Sequence, residues 1–358
     1  MKKKTPSASS SKLKKIQSFD PNGPALADAN VFGLPFNEEE SDIVIVPVPW
    51  EATVSYGGGT AKGPEAILEA SMQVDLYHAE FPELWKRGIY MQDVPAALYK
   101  KSKETRKKAE KIIASLYDGK KVDKDPGLRK LLSEVNEGSA GMIAAVKKTC
   151  SDLLKKGKLV GMVGGDHSTP MGFFQALAEK YPSYGILQID AHMDLRKAYE
   201  GFTWSHASIM YNALQLKQVK KLVQVGIRDF CKEEADYVKN SNKRVEVFSY
   251  ADVAAKRYEG ITWKKQCEQI IQALPEFVHI SFDIDGLDPK LCPNTGTPVA
   301  GGFEFHEITY LLSMLAKSKK KIISFDLNEV SQGKDDWDGN VGARMLFHLC
   351  GVLAASSR

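Results

Sequence analysis

Seven short runs of β-branched and aliphatic residues punctuate this chain, and the stretches between them are long enough for helices. That alternation limits the fold more than any other feature. The runs lie at 43–46, 158–163, 184–189, 221–225, 245–248, 278–282 and 322–325, with helix-length stretches at 141–155, 170–180, 304–317 and 341–353. They show little alternation of polar and apolar residues, as expected of strands buried on both faces of a parallel sheet. The rhythm predicts an α/β protein: a three-layer α/β/α sandwich with a mostly parallel sheet and right-handed crossovers. Sheets of this kind place their sites in loops just beyond the carboxyl ends of the strands.

Composition narrows the class further. The chain is 43% apolar and 26% charged, which excludes a disordered or fibrous chain. No apolar run approaches the roughly 18 residues that a membrane span needs. The five cysteines are scattered and form no Cys-x-x-Cys pair, so reduced thiols in a cytoplasmic protein are expected. Of the net charge of +4, six lysines in residues 1–15 and a surplus of seven in residues 100–130 leave −9 for the other 312 residues. Residues 1–25 read as a disordered basic tail. Residues 26–358 read as a single catalytic domain carrying a basic helical insertion at about 96–135. Within the insertion, 100–116 and 127–135 look helical, Asp118-Gly119 and Asp125-Pro126-Gly127 are turn signals, and the charge run marks a solvated face.

Three of the apolar runs end in carboxylates and imidazoles. They are followed by Gly164-Gly165-Asp166-His167-Ser168, by Asp190-Ala191-His192-Met193-Asp194, and by Asp283-Ile284-Asp285-Gly286. Residues two apart in an extended segment face the same way, so Asp190, His192 and Asp194 can converge, as can Asp283 and Asp285. Packed carboxylates force one another to take up protons unless a cation neutralises them. Two divalent ions would balance four aspartates and two neutral histidines. The donors are oxygen and nitrogen without thiolate, which favours Mn²⁺, with Ni²⁺ as the alternative. Such a pair can share a water and lower its pKa.

At these motifs the sequence resembles the ureohydrolases, the family of arginases and agmatinases. The likeness extends to Ser281-Phe282-Asp283-Ile284-Asp285-Gly286-Leu287-Asp288-Pro289, Thr295-Gly296-Thr297-Pro298, Asp326-Leu327-Asn328-Glu329-Val330, and the opening Gly57-Gly58-Gly59-Thr60. It covers about residues 42–355. It implies an arginase-like fold in which His167, Asp190, Asp194 and Asp283 hold one ion and Asp190, His192, Asp283 and Asp285 the other, with a bridging hydroxide that attacks the guanidinium carbon. By the same resemblance Asp194 also orients the hydroxide or moves its proton, Glu329 pairs with the guanidinium, and His206 passes a proton to the leaving amine. A homo-oligomer, trimer or hexamer, is implied as well. His78, His279, His306 and His348 stand in no motif, and no chemistry is assigned to them.

The substrate implied is a small cationic guanidino compound. Residues 195–204 lack the asparagine-containing pattern with which arginases hold an amino acid, so agmatine, giving putrescine and urea, is preferred to arginine. Ala207-Ser208 in place of Gly-Thr, Gln332 in place of a proline, and the basic insertion leave guanidine, guanidinobutyrate, guanidinopropionate and formiminoglutamate open. Trp50, Trp204 and Trp337 read as packing, with a narrowed pocket as the alternative. Two readings lie outside the class. A phosphatase would want a phosphate clamp, which is not found, and an inactive metal-stabilised binding protein would be expected to have lost a ligand. No nucleic-acid module and no membrane segment are expected.

Overall fold

In the computed structural model, which describes residues 8–26 and 29–357, the strands pair in one parallel sheet. They are β1 (Ile43–Val48), β2 (Ile89–Met91), β3 (Leu159–Gly164), β4 (Tyr184–Ile189), β5 (Val219–Val225), β6 (Val245–Phe248), β7 (Phe277–Asp283) and β8 (Lys321–Asn328). The order across the sheet is β2-β1-β3-β8-β7-β4-β5-β6. The helices are α1 (Ala8–Ser18), α2 (Gly63–Ser71), α3 (Ala96–Tyr117), α4 (Pro126–Lys155), α5 (Met171–Lys180), α6 (Ile209–Ala213), α7 (Lys232–Lys239), α8 (Tyr250–Tyr258), α9 (Trp263–Ala273), α10 (Phe305–Ala316) and α11 (Trp337–Ser356).

Period-2 geometry divides the strand side chains between two cores. Ile43 and Ile45 of β1 meet one layer with Ile67 of α2, Ile270 of α9, Leu311 of α10 and Leu346 of α11, all buried. Val44, Val46 and Val48 meet the other, with Met142 of α4, Phe173 of α5 and Met210 of α6. The three-layer α/β/α sandwich is therefore observed, and the sheet is parallel throughout. Among the described residues no helix is long and apolar enough to cross a membrane.

Four local features differ from the sequence-based expectation. Strand β2 has only three residues and sits at the sheet edge, pairing Ile89 with Ile43, too short for periodicity to reveal. The two helices expected at 127–135 and 141–155 are one helix of 30 residues, α4. Its start is the supposed turn: Asp125 accepts hydrogen bonds from the Gly127 and Leu128 amides at 2.8 and 3.1 Å, and Pro126 occupies the first turn, where its missing N–H costs nothing. Gly138 does not break the helix but allows α3 to approach, since a Cβ there would lie 2.8 Å from Thr105 Oγ1.

The insertion is also more than a solvated face. Ala109, Ile112 and Ile113 of α3 and Leu128 and Val135 of α4 enclose Phe202, all buried, in a small core of their own. The basic tail differs as well, because residues 8–18 form α1 whereas 1–7 lie outside the described residues. Lys12 reaches Asp42 and Lys15 reaches Glu40, each at 2.7 Å, while Ile16 and Phe19 pack on the core. Two of the six lysines counted as tail charge are thus paired with the body.

His348 of α11 supplies a pH dependence. It is buried, with Nε2 3.1 Å from the Thr309 carbonyl. Burial, helped by the His78 charge, pushes its pKa down to about 4. The unfolded chain takes up this proton below about 6.5, so the contribution is fully present above that pH and is lost as pH falls toward 4, by about 3 kcal/mol. Urea unfolding with chelator present should show His348→Gln losing about that much less stability than wild type over this range. Equal pH slopes would refute the assignment.

Candidate metal centre and active site

The four middle strands of the sheet, β3, β8, β7 and β4, lie side by side, and each leads into one part of the site. The chain reaches β3 and then β4 before β7 and β8 fill the space between them. This is a topological switch point, where loops diverge and leave a crevice. The turn after β3 is tight: a Cβ on Gly165 would lie 2.0 Å from the Trp50 carbonyl, so only glycine fits. That turn presents His167, the β4 end presents Asp190, His192 and Asp194, the β7 end presents Asp283 and Asp285, and Glu329 follows β8.

The side chains converge as the motifs led one to expect. His167 Nδ1 lies 3.0 Å from Asp190 Oδ2, 3.1 Å from Asp283 Oδ2 and 3.4 Å from Asp194 Oδ2. His192 Nδ1 lies 3.0 Å from Asp285 Oδ2 and 3.6 Å from Asp190 Oδ1. Two ligand groups result, His167–Asp190–Asp283 and Asp190–His192–Asp285, with Asp190 common to both. Backbone amides pin the carboxylates: Asp190 Oδ1 accepts from His192 at 2.6 Å, Asp285 Oδ1 from Ala191 at 3.0 Å and Asp283 Oδ1 from Asp285 at 2.9 Å.

The electrostatics test whether cations fit here. Burial and the Asp190 charge push the Asp194 carboxyl up, and burial and the Asp285 charge do the same to Asp283. Burial alone would lower both histidines, but Asp190 and Asp283 hold His167 well above its usual range, and Asp285 and Asp190 lift His192 to about 12. Without cations the crowded carboxylates are relieved only by taking up protons, on Asp194 and Asp283 as well as on both histidines. His167 Nδ1, though ringed by oxygens, is buried without an aligned hydrogen bond. A converging set of oxygen and imidazole donors whose carboxylates otherwise hold protons suits a pair of divalent ions.

Glu329, which follows β8, reaches the turn that carries His167 and is buried. Its Oε1 accepts the His167 amide at 2.8 Å, and its Oε2 is buried without a partner. Burial and the Asp283 charge raise its pKa well above the usual carboxylate range. Asp194 and Glu329 both hold left-handed backbones, φ 56° and 64°. Strain of that kind persists only where surroundings enforce it; here the Met210 and Tyr211 amides bond the Asp194 carbonyl, and the Glu329 amide bonds the Gly165 carbonyl.

A cleft of about 160 Å³ opens onto His192, Asp194 and His206. His206 is buried with Nδ1 unpartnered, and burial, helped by the His192 charge, lowers its pKa to about 3, so it is neutral at pH 7. Arg196 is the one Lys or Arg among the described residues lining the cleft; its Nε is 3.8 Å from Glu234 and its guanidinium lies over the Tyr199 ring. Asp229 on the same wall is exposed, so carboxylates outnumber Lys and Arg among the described residues lining the cleft. None of the three tryptophans lines it. Trp50 and Trp204 pack in or against a core, and Trp337 donates to the Lys290 carbonyl.

Several residues that support the site carry no motif signal. Gln188 donates to Asp190 Oδ2 at 2.8 Å and is itself bonded by Gln224 at 2.6 Å. Arg228 binds the carbonyls of Gly226, Asp285, Leu287 and Val299, tying the β7 loop to its neighbours. His279, to which no chemistry was assigned, bonds Asp326. A buried glutamine at i−2 from a ligand, and polar residues every second position in β7 and β8, are the signals that could have found them.

A model of the arginase family matches residues 41–351. The chain belongs to the arginase family. It is 31% identical to an N(1)-aminopropylagmatine ureohydrolase of Thermococcus kodakarensis, covering 89% of this chain and 93% of that one. An agmatinase of Bacillus anthracis is 28% identical over 86% of this chain and 90% of its own. The fold matches the agmatine ureohydrolase of Thermoplasma volcanium with a TM-score of 0.67 at 23% identity, over 96% of this chain and 98% of that one.

Proposed function

We propose that this arginase-family chain hydrolyses the guanidino group of a cationic, carboxylate-free amine, with agmatine as substrate and putrescine and urea as products. The observation that carries this reading is the convergence of His167, Asp190, His192, Asp194, Asp283 and Asp285, of which His192 and Asp194 line a cleft with more carboxylates than Lys or Arg among the described residues. These six residues would hold two divalent ions, Mn²⁺ by the hardness of the donors, with Ni²⁺ as the alternative. When bound, the ions supply water activation near neutral pH.

The remaining chemistry belongs to the protein. Asp194 faces the cleft and, with its raised pKa, can hold and release the proton of an attacking water. Glu329 Oε2 is a buried acceptor awaiting a cation, and pairing with a guanidinium would fix the planar carbon for attack. His206 is neutral, so its unpartnered Nδ1 can accept a proton; the imidazolium formed there is a strong acid and passes it to the departing amine. Arg196, the one Lys or Arg among the described residues lining the cleft, sits 3.8 Å from Glu234 and over the Tyr199 ring, so no unpaired Lys or Arg of that lining meets a substrate carboxylate. That disfavours arginine and guanidinobutyrate.

N(1)-Aminopropylagmatine is the second reading, favoured by the names of several relatives. The reading further takes the protein to be a cytoplasmic homo-oligomer. Purified protein loaded with Mn²⁺ or Ni²⁺ should release urea from agmatine or N(1)-aminopropylagmatine at least about 100-fold more efficiently than from arginine, since a buried unpaired carboxylate costs several kcal/mol. Preference for guanidine or guanidinobutyrate would replace the substrate but keep the reaction, whereas no urea from any guanidino compound would end the hydrolase reading.

A further inference from the structure

Leading up to the ligands along β7 and β8 runs a column of buried polar side chains of which the proposed chemistry uses only Asp283. In β7, His279, Ser281 and Asp283 share one face, and in β8 Ser324, Asp326 and Asn328 share the face beside it; the register pairs them directly, His279 with Ser324, Ser281 with Asp326 and Asp283 with Asn328. All six are buried. The residues that alternate with them in β7, Val278, Ile280 and Phe282, are buried and apolar. Packing alone would be served equally well by apolar residues on both faces, because buried ionic and polar groups are often no more stabilising than apolar replacements.

The hydrogen bonds give the column a direction. His167 Nε2 is 2.9 Å from Ser281 Oγ, Ser281 Oγ is 2.9 Å from Asp326 Oδ1, Asp326 Oδ2 is 2.5 Å from His279 Nε2, and His279 Nδ1 is 2.7 Å from Ser324 Oγ. If His167 Nδ1 is to offer its lone pair to a cation, the ring proton must sit on Nε2. Nε2–H then donates to Ser281 Oγ, leaving the serine hydroxyl to donate to Asp326, whose other oxygen accepts from His279. Each donor meets one acceptor. The rings of Phe173 and Phe174 stand edge-on to His279 at 5.4 and 5.2 Å, enclosing the far end of the chain in apolar surroundings.

We propose that Asp326, acting through Ser281, is a positioning residue that fixes the tautomer and ring orientation of His167 and so sets the affinity of one of the two ions. It rests on the two-ion reading above. Partners of a metal-bound histidine typically govern about 10- to 100-fold in metal affinity. The carboxylate lies one hydroxyl away from the ligand, and the serine has no other acceptor to serve. The ion bound by His192 and Asp285 shares no member of this chain.

The test is Mn²⁺ titration of chelated protein, followed by metal content after gel filtration. Wild type should take up two ions per chain. Ser281→Ala should bind one ion about 10- to 100-fold more weakly and leave the other within about twofold. Asp326→Asn should weaken the same ion, and the double variant should be no worse than the weaker single one, because the two residues act in series. The thermal midpoint of chelated Ser281→Ala should match that of chelated wild type. Two ions held by Ser281→Ala at wild-type affinity, additive losses in the double variant, or equal weakening of both ions with a lower apo midpoint would each overturn the proposal. A wild type that binds no ion would instead sink the two-ion reading itself.

Discussion

Asp190→Asn is expected to lower urea release by on the order of 10³-fold or more, because ion-assisted catalysis supplies several kcal/mol and each 1.4 kcal/mol is tenfold in rate. Asp190 belongs to both groups of converging donors, so a single substitution strikes both ions. Asparagine keeps the volume but loses the charge. Its amide nitrogen must also face one of two donors that now point at the carboxylate, Gln188 Nε2 at 2.8 Å or the His192 amide at 2.6 Å. The wholly buried surroundings leave little room to turn away. The fold should persist, since neighbouring strands hold β4 along its length. Steady-state urea production beside circular dichroism would check both halves. A well-folded Asp190→Asn within tenfold of wild type would show that Asp190 does not hold the reacting centre.

The second large effect has two signs. Glu329→Gln should reduce kcat/KM by on the order of 10²- to 10³-fold, as expected for losing a charge-assisted, two-pronged contact with a guanidinium. The same change should leave stability unaltered or raise it. A glutamine oxygen can still accept the His167 amide, and the change removes a buried carboxyl that burial and the Asp283 charge already drive toward its protonated form. Groups that are costly in the free protein and useful only with substrate produce this trade between stability and activity. Kinetics with agmatine and a thermal melt distinguish the alternatives. A variant that melts earlier but keeps its kcat/KM would make Glu329 a structural acid.

Much of this was legible in the sequence because strand-end motifs combine two short-range signals. Asp190, His192 and Asp194 are spaced by two, and an apolar run precedes them, so both their side and their place in the sheet follow from local rules. What stayed hidden depends on contacts distant in sequence. Ser281 and Asp326 are 45 residues apart and meet only because β7 and β8 pair, although the two strands each betray a polar face in an otherwise apolar run. The single helix over 126–155 was hidden for the same reason, because the close approach of α3 that Gly138 allows is a contact with Thr105, 33 residues away in sequence. The lysines of residues 12 and 15 looked like solvated charge because Asp42 and Glu40, their partners, stand near the start of the first strand. Strand β2 is simply too short to register.

The charge distribution now has a structural reading. Buried carboxylates crowd the site at Asp190, Asp194, Asp283, Asp285 and Glu329, and Arg196, the one Lys or Arg among the described residues lining the cleft, is paired with Glu234. Such a cleft favours the approach of a cationic substrate.

The most direct measurement is urea released from agmatine as Mn²⁺ is added stepwise to chelated protein. Activity should be absent without metal, rise with added ion and level off at two ions per chain. Urea release that survives chelation, or a plateau reached with no ion bound to the protein, would contradict a paired-ion guanidino hydrolase built on Asp190 and its five neighbours.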